Sequence, residues 1–415
     1  MSNLRRACVT TLGCKVNQCD GDEIARSLAA LGYQVVVRGR ADVHVVNTCT
    51  VTATADAKAR KLIRRLARSR PAVLVVTGCW AQREPAAAAA LPGVDAVVPN
   101  HRKEEIPALV ARLAPPGPSE PRALPLHRTR AFLKLQDGCD HRCAYCAVPD
   151  ARGAPTSKPL PHALAELQSL AAAGAREVVL CGIRLGAYGR DRGEAGLAAL
   201  LRELRSLPIP RLRLSSLEPL DVSADLLAEI AGHPTLCHHL HLPLQSGSNA
   251  VLAAMGRGYT SGDCASLLDR IRAAWPEAAI TTDVMVGFPG ETDQQFRDTL
   301  AFLRRGAFTR VHVFPYSPRP GTPAASRQDH VPIEQARART CEMLRLAEDL
   351  AGQAAAAWVG REVQVLFERQ EAGGLLTGLT EHYLRVRCAG PADCVGRIRG
   401  VTPYAADGAE LLARA

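Results

Sequence analysis

The stretch LKLQDGCDHRCAYCAVP, Leu133–Pro149, carries Cys139, Cys143 and Cys146 on one short loop in a CxxxCxxC spacing. Three thiolates so placed can hold three irons of a 4Fe–4S cluster and leave the fourth iron without a protein ligand. An open metal position is a place for chemistry, whereas a fourth cysteine would close the site. Tyr145 sits just before the third cysteine. The competing reading is a zinc knuckle. Zinc favours paired CxxC halves with a fourth Cys or His, and His141 inside the loop offers a nitrogen.

The run that feeds this loop, AFLKLQ from Ala131, is β-like, and similar runs recur down to about residue 317: EVVLCGI, RLRLSSL, CHHLHLP, AITTDVMVGFP and TRVHVFPYS. Helix-period stretches separate them: Leu160–Ala173, Leu197–Leu207, Ala224–Ala231, Asp263–Ala274 and Asp293–Arg305. Such alternation implies βα units, a parallel sheet and right-handed crossovers. Six units make a partial barrel, with the cysteine loop at the C-terminal rim where parallel barrels place their chemistry. Gly182, Glu218 and Gln245 fall near the ends of later strands of this barrel and are candidates for holding a ligand at that rim.

Toward the N-terminus a second α/β pattern appears, with strand candidates ACVTTLG, YQVVV, VHVVNT and AVLVVTG. Cys14, Cys49 and Cys79 each fall just past one of these runs. Ligands converge on that edge of open parallel sheets, so thiols far apart in sequence are expected to meet there and hold a second cluster. The other eight cysteines (8, 19, 181, 237, 264, 341, 388 and 394) read as small core residues, Cys19 standing close enough to Cys14 to serve as a spare ligand.

The stretch APPGPSEPRALP, Ala114–Pro125, reads as a linker. Pro332–Ala357 is one long helical stretch, followed by short β runs (VQVLFE, LLTGLT, YLRVRCA, CVGRIRGVTP) that suggest a small barrel. Its arginines, 361, 369, 385, 387, 397 and 399, suit a basic nucleic-acid-binding face or a merely solvated one. KARKLIRRLARSR, Lys58–Arg70, has seven positive charges and no acid, and at helical period Lys61, Arg64, Arg65 and Arg68 share a face suited to phosphates. The fold class expected is therefore α/β: an N-terminal parallel α/β domain (1–115), a partial (β/α)6 TIM-like barrel (125–355) and a small C-terminal β-barrel (356–415).

Bulk properties agree. The 415 residues exceed what one core organises, and 47% apolar content with a mean hydropathy near zero is that of a globular protein. There is no run of 18 apolar residues, and MSNLRRACVTTLG lacks a signal-peptide pattern. A cytoplasmic chain with no membrane association is expected, its 14 cysteines serving as metal ligands and core residues rather than disulfides. A net charge of +10 favours an anionic partner.

With Tyr145, the CxxxCxxC loop resembles that of the radical S-adenosylmethionine (SAM) enzymes, in which SAM occupies the open iron. The whole chain resembles the methylthiotransferases, which join a three-cysteine domain, a radical SAM partial barrel and a C-terminal TRAM barrel. The motifs are LKLQDGCDHRCAYC, ARG at 151–153, GAYGRD at 186–191, RLSSLEP at 213–219, LPLQSGSNAVLAAMGRGYT at 242–260, TTDVMVGFPGET at 281–292 and GLTEHYLRV at 378–386. By position, Cys139, Cys143 and Cys146 match the ligands of the SAM-binding cluster, and Cys14, Cys49 and Cys79 those of an auxiliary cluster. TLGCKVNQ (11–18) with ADVHVVNTCTVTATAD (41–56) is similar to the branch acting on threonylcarbamoyladenosine in tRNA, the deciding residues being Lys15 to Gln18. Asp150, where the family often has an aromatic, and Lys158, where Arg is common, are departures.

The resemblance implies two 4Fe–4S clusters and two SAM per turnover. A 5′-deoxyadenosyl radical made at the first cluster would activate carbon 2 of the modified adenine, sulfur would be attached at the auxiliary cluster, and the second SAM would supply the methyl group. It also implies an anticodon stem-loop as partner and a flavodoxin- or ferredoxin-like electron donor. An anticodon base is already partly unstacked, which eases its entry into a buried site. The alternatives are a sibling acting on isopentenyladenosine tRNA or on a ribosomal-protein aspartate, and a non-enzymatic iron–sulfur sensor that binds RNA.

Overall fold

The computed structural model describes residues 5–117 and 129–414, so the linker lies, beyond Gly117, outside the described residues. The chain divides into two compact units: Met1–His127 with Asp137–Pro155 and Ser317–Ala325, and Arg128–Gln136 with Thr156–Tyr316 and Ser326–Ala415. The cysteine loop thus groups with the N-terminal sheet, although in sequence it lies within the barrel segment.

In the first unit, β1 (Arg6–Thr11), β2 (Gln34–Val35), β3 (Val43–Thr48), β4 (Val73–Gly78) and β5 (Ala96–Val97) form a parallel sheet in the order β2-β1-β3-β4-β5. The helices are α1 (Lys15–Ala30), α2 (Ala53–Ala67), α3 (Cys79–Arg83), α4 (Pro85–Ala89), α5 (Ile106–Leu113) and α6 (Val148–Arg152). Strand alternation covers both faces. Val43, Val45, Val73 and Val75 pack with Ile24, Leu28, Ile106 and Val110 on one side. Val46, Leu74 and Val76 pack with Ala59, Ile63 and Trp80 on the other. Helix α2 starts where the Thr52 side chain accepts from Ala55 N at 3.2 Å, and it buries Ala59 and Ile63. Lys61, Arg64, Arg65 and Arg68 are exposed together, as the helical period predicts.

In the second unit the parallel strands are β6 (Arg130–Asp137, whose last residue belongs to the first unit), β8 (Glu177–Gly182), β9 (Arg211–Leu214), β10 (His239–His241), β11 (Ala279–Val286) and β12 (Arg310–Pro315), with a two-residue β7 (Thr156–Ser157) beside β6. They run as β6-β8-β9 and β10-β11-β12, joined by parallel bridges Leu212↔Leu236 and Ser216↔His241, which makes a six-stranded partial barrel in chain order. Its helices are α7 (Leu160–Ala172), α8 (Leu197–Leu204), α9 (Ala224–Ala231), α10 (Asn249–Ala254), α11 (Ser261–Ala274) and α12 (Asp293–Gly306). Capping boxes start two of them, Thr260 with Asp263 for α11 and Thr292 with Gln295 for α12. A continuous core of Leu, Val, Ile and Phe fills the space between strands and helices.

Helix α13 (Ile333–Ala356) leads to a curled, mostly antiparallel sheet of β13 (Val363–Gln370), β14 (Leu375–Thr380), β15 (Arg385–Ala389), β16 (Ile398–Val401), β17 (Pro403–Asp407) and β18 (Glu410–Arg414), a small barrel-like body around Val363, Val365, Phe367, Leu376, Val386 and Leu411. Arginines of β9 fasten it to the (β/α) barrel. Arg211 donates to the carbonyls of Gln364 (2.7 Å) and Leu379 (3.3 Å). Arg213 donates to those of Thr380 (3.0 Å) and Glu381 (3.1 Å). Among the described residues no helix is long and apolar enough to cross a membrane.

Candidate metal centre

Register decides where the N-terminal cysteines go. Thr11 pairs with Asn47 and Thr48 with Gly78, so Cys14, Cys49 and Cys79 all stand just beyond the C-terminal ends of three adjacent strands, β1, β3 and β4. The chain passes Cys49 so closely that a Cβ on Gly13 (φ +99°) would fall 2.7 Å from its sulfur. Desolvation, with the neighbouring thiols of Cys79 and Cys14 acting in the same direction, pushes the Cys49 thiol up to about 11. Cys14 is raised by desolvation too, with Arg152 opposing. Three thiols whose ionised forms repel one another, two of them buried (Cys49 and Cys79) and Cys14 exposed, are a poor resting arrangement and a good one for a cation or a metal cluster.

Polar side chains brace them. Buried Asn17 donates from Nδ2 to the carbonyls of Leu12 and Thr48, both at 2.8 Å, while its Oδ1 lies 3.9 Å from the Cys79 sulfur and accepts from Arg152. Asn100 donates to the Ala151 carbonyl at 2.5 Å and reaches the Cys79 sulfur at 3.8 Å. Arg152 is itself buried. It bonds both oxygens of Asp137 (2.7 and 2.8 Å) and Asp20 (3.2 Å), and Lys103 holds Asp20 from the other side at 2.6 Å. Arg152 therefore ties the strand end that precedes Cys139 to the helix that follows Cys14, and its positive charge favours the Cys14 thiolate.

The CxxxCxxC loop belongs to the same unit. Cys139 N donates to the Gly153 carbonyl at 3.1 Å and Cys146 N to the Cys143 carbonyl at 3.0 Å, which folds the loop back on itself. The amides of His141 and Val148 donate to the sulfurs of Cys139 and Cys146, each at 3.4 Å. Amide donors aimed at sulfur stabilise a thiolate and tune any iron it binds. Gly138 (φ +71°) makes the entry turn, where a Cβ would lie 2.1 Å from the Ala154 carbonyl oxygen. Ala144, beside half-buried Tyr145, accepts from Ala324 N at 2.8 Å.

In the second unit, Gly182 ends β8, where a Cβ would meet Leu185 Cα at 2.8 Å. Glu218 follows β9 and is paired with Arg257, which also donates to Tyr259 Oη at 2.9 Å. Gln245 follows β10 with φ +70°, its amide donating to the Asp283 carbonyl at 2.8 Å. All three stand at C-terminal strand ends of the partial barrel. Of the two departures, Asp150 is exposed in α6 and Lys158 pairs with Glu166.

Residues 6–99 match the model of an uncharacterized protein family, UPF0004, and residues 133–303 that of the radical SAM superfamily. A threonylcarbamoyladenosine tRNA methylthiotransferase (MtaB) of Bacillus subtilis is 38% identical, covering 94% of this chain and 91% of that protein. This chain belongs to the radical SAM methylthiotransferase family. A ribosomal protein uS12 methylthiotransferase (RimO) of Chloroflexus aurantiacus is 37% identical over 87% of each chain, so overall identity does not separate the branches. Among solved structures, the radical SAM methyltransferase TsrM of Kitasatospora setae, with cobalamin and a 4Fe–4S cluster bound, has a TM-score of 0.57 at 16% identity, covering 91% of this chain and 81% of that one; the likeness is one of fold.

Membership implies a 4Fe–4S cluster and SAM, and the methylthiotransferase has a fitting donor set in the thiols of the CxxxCxxC loop with amides aimed at two of them. Arg152, Asn17, Asn100 and Lys103 went unread as site residues in sequence. The ARG motif at 151–153 was the available signal for Arg152, but its partners lie 15, 132 and 135 residues away.

Proposed function

We propose that this chain methylthiolates carbon 2 of N6-threonylcarbamoyladenosine beside the anticodon of tRNA. The observation that carries the reading is the gathering of two three-cysteine sets in one compact unit, with buried Arg152 linked to the elements bearing both. The substrate follows the MtaB relatives and the Lys15–Gln18 signature.

In this reading Cys139, Cys143 and Cys146 hold a SAM-binding cluster, and Cys14, Cys49 and Cys79 an auxiliary one. When bound, the first cluster with SAM supplies abstraction of an unactivated hydrogen atom, chemistry outside the reach of side-chain acids and bases. The chain supplies position. Arg152 lowers the free energy of the auxiliary thiolates, Asn17 fixes the Cys14 turn, and the loop amides orient the sulfurs. Tyr145 in the first unit, and Gly182, Glu218 and Gln245 at strand ends of the second, are each candidate SAM contacts, Glu218 being paired with Arg257. Cys14, Cys49 and Cys79 would hold the group at which sulfur is attached, and a second SAM would supply the methyl group. The basic face of α2 and exposed Arg361, Arg369, Arg385, Arg397 and Arg399 contact tRNA phosphates, a flavodoxin- or ferredoxin-like protein delivers electrons, and the reaction takes place in the cytoplasm.

The test uses anaerobically reconstituted protein, SAM, a strong reductant and tRNA bearing threonylcarbamoyladenosine, with mass spectrometry of the digested nucleosides. A methylthio product from wild type and none from Cys143→Ala is expected. Deoxyadenosine release without that product overturns the substrate and points to the ribosomal-protein or isopentenyladenosine branch. Iron bound without deoxyadenosine release overturns the enzyme reading.

A further inference from the structure

Where the C-terminal sheet meets the (β/α) barrel, a cluster of side chains has no part in the proposed reaction. His238 precedes β10, Glu277 lies in the turn between α11 and β11, and His382 lies in the turn between β14 and β15. One potential ligand atom from each lies within 4.8 Å of the other two. His382 is only 3% exposed, and neither of its ring nitrogens finds a hydrogen-bond partner among the described residues. Nδ1 of His238 is buried in the same condition. Buried polar atoms are rarely left so, because each forfeits its hydration for nothing.

Nor are these rings loosely placed. Trp358 packs on His382 with centroids 3.9 Å apart, His238 meets His382 edge-on at 5.3 Å, and Trp275 backs His238 at 5.1 Å. A second group, His241, Asp283 and His312, is as compact but internally paired: the His241 nitrogens contact Thr281 Oγ1 (2.9 Å) and Asp283 (3.3 Å). Only the first group combines convergence with orphaned buried nitrogens.

We infer that His238, Glu277 and His382 bind one divalent, zinc-type cation that fastens the C-terminal sheet to the barrel. Two imidazoles and a carboxylate are a donor set zinc accepts, with water in the fourth position. Donors on a tetrahedral zinc with bonds of 2.0–2.1 Å stand about 3.3 Å apart, so the set must contract modestly. Glu277 is exposed on a turn and can move to do so, and it gives the ion a route in. One of its oxygens accepts from Arg361 at 2.6 Å, so that guanidinium orients the carboxylate from behind. Cys237 is excluded from the set, since its sulfur turns to Glu177 at 3.9 Å. The shell is therefore nitrogen and oxygen only, which separates this ion from any metal captured by cluster cysteines. The inference is independent of the tRNA reading.

The experiment takes the full chain with its iron in place, dialysed against metal-free buffer and then against equimolar zinc chloride, for wild type, Glu277→Gln and His382→Gln. Metals are counted by mass spectrometry, and zinc X-ray absorption reads the shell. Wild type is expected to retain one zinc per chain with nitrogen and oxygen neighbours. Both variants are expected to lose at least tenfold in zinc affinity at unchanged iron content. Zinc should also raise the unfolding temperature of wild type alone. Should His382→Gln fail to fold, Glu277→Gln on its exposed turn decides. No zinc uptake, equal uptake by wild type and Glu277→Gln, or a sulfur shell near about 2.3 Å overturns the proposal.

Discussion

Replacing Arg213 by Met tests whether the barrel and the C-terminal sheet are held by one buried charge pair. Arg213 and Glu177 are both fully buried, joined at 2.7 Å (Nε to Oε1) and 3.3 Å (Nη2 to Oε2). The same guanidinium donates to the carbonyls of Thr380 and Glu381 and lies over the Tyr383 ring at 5.3 Å. Removing one partner of a buried pair costs about 3–5 kcal/mol, and Arg130 and Arg211, which also act on Glu177, favour the lower end. The two bereft carbonyls add about 1 kcal/mol each, so Arg213→Met should cost about 5 kcal/mol in all. The double variant Arg213→Met/Glu177→Leu leaves no buried charge and should recover about 3 kcal/mol.

The pH dependence has a definite sign. Burial alone would raise the Glu177 carboxyl, but Arg213 outweighs it and holds the group below its ordinary 4.5. In wild type this stability is present above the unfolded pKa and is lost as pH falls through the folded one. Without Arg213, only the weaker pull of Arg130 and Arg211 opposes burial, and the carboxyl rises relative to wild type. The gap between the proteins should then be smallest below about pH 4 and widen toward neutrality. Urea unfolding read by tryptophan fluorescence in a Trp80→Phe background confines the signal to Trp275 and Trp358 of the second unit. A cost below about 1 kcal/mol at pH 7, or a double variant less stable than the single, refutes the reasoning.

Gly138→Ala should prevent the CxxxCxxC loop from closing, since its Cβ would meet the Ala154 carbonyl at 2.1 Å; iron analysis should show one cluster's iron missing and SAM cleavage abolished, and intact cleavage would refute this. Asn17→Ala strips donors from two carbonyls beside Cys14 and Cys49, a local cost of about 2–3 kcal/mol. It should remove the auxiliary iron and methylthiolation while deoxyadenosine release persists, and its loss in parallel would show the two cysteine sets failing together. Changing Lys61, Arg64 and Arg65 to Ala, all exposed on α2, should weaken tRNA binding and reduce the log–log salt slope by about 2–3 with unchanged helicity; an unchanged slope would make that face a merely solvated one.

The features legible in the chain are those that burial imposes repeatedly. Val43, Val45, Val73 and Val75 against Val46, Leu74 and Val76 write the two faces of the sheet into the sequence, and strand ends then locate Cys14, Cys49 and Cys79 without any contact being known. The six barrel strands followed from the same alternation. Strands β5, β17 and β18 went unread, β5 having only two residues, too few for a period to declare itself, and Tyr383 with φ +65° delays β15 until Arg385.

Polar contacts leave no such mark. Arg152 is one arginine among many until Asp137, Asp20 and Asn17 are seen around it, and His238, Glu277 and His382 come from three unrelated turns whose spacing matches no metal motif. The difference is physical: a core needs many interchangeable residues at a fixed period, whereas a charged or ligating contact needs one residue at one point, supplied from anywhere in the chain. The orphaned nitrogens of His382 therefore carry information that composition and periodicity lack. A buried donor or acceptor without a partner has a cost wherever it occurs, and that cost persists only where something answers it.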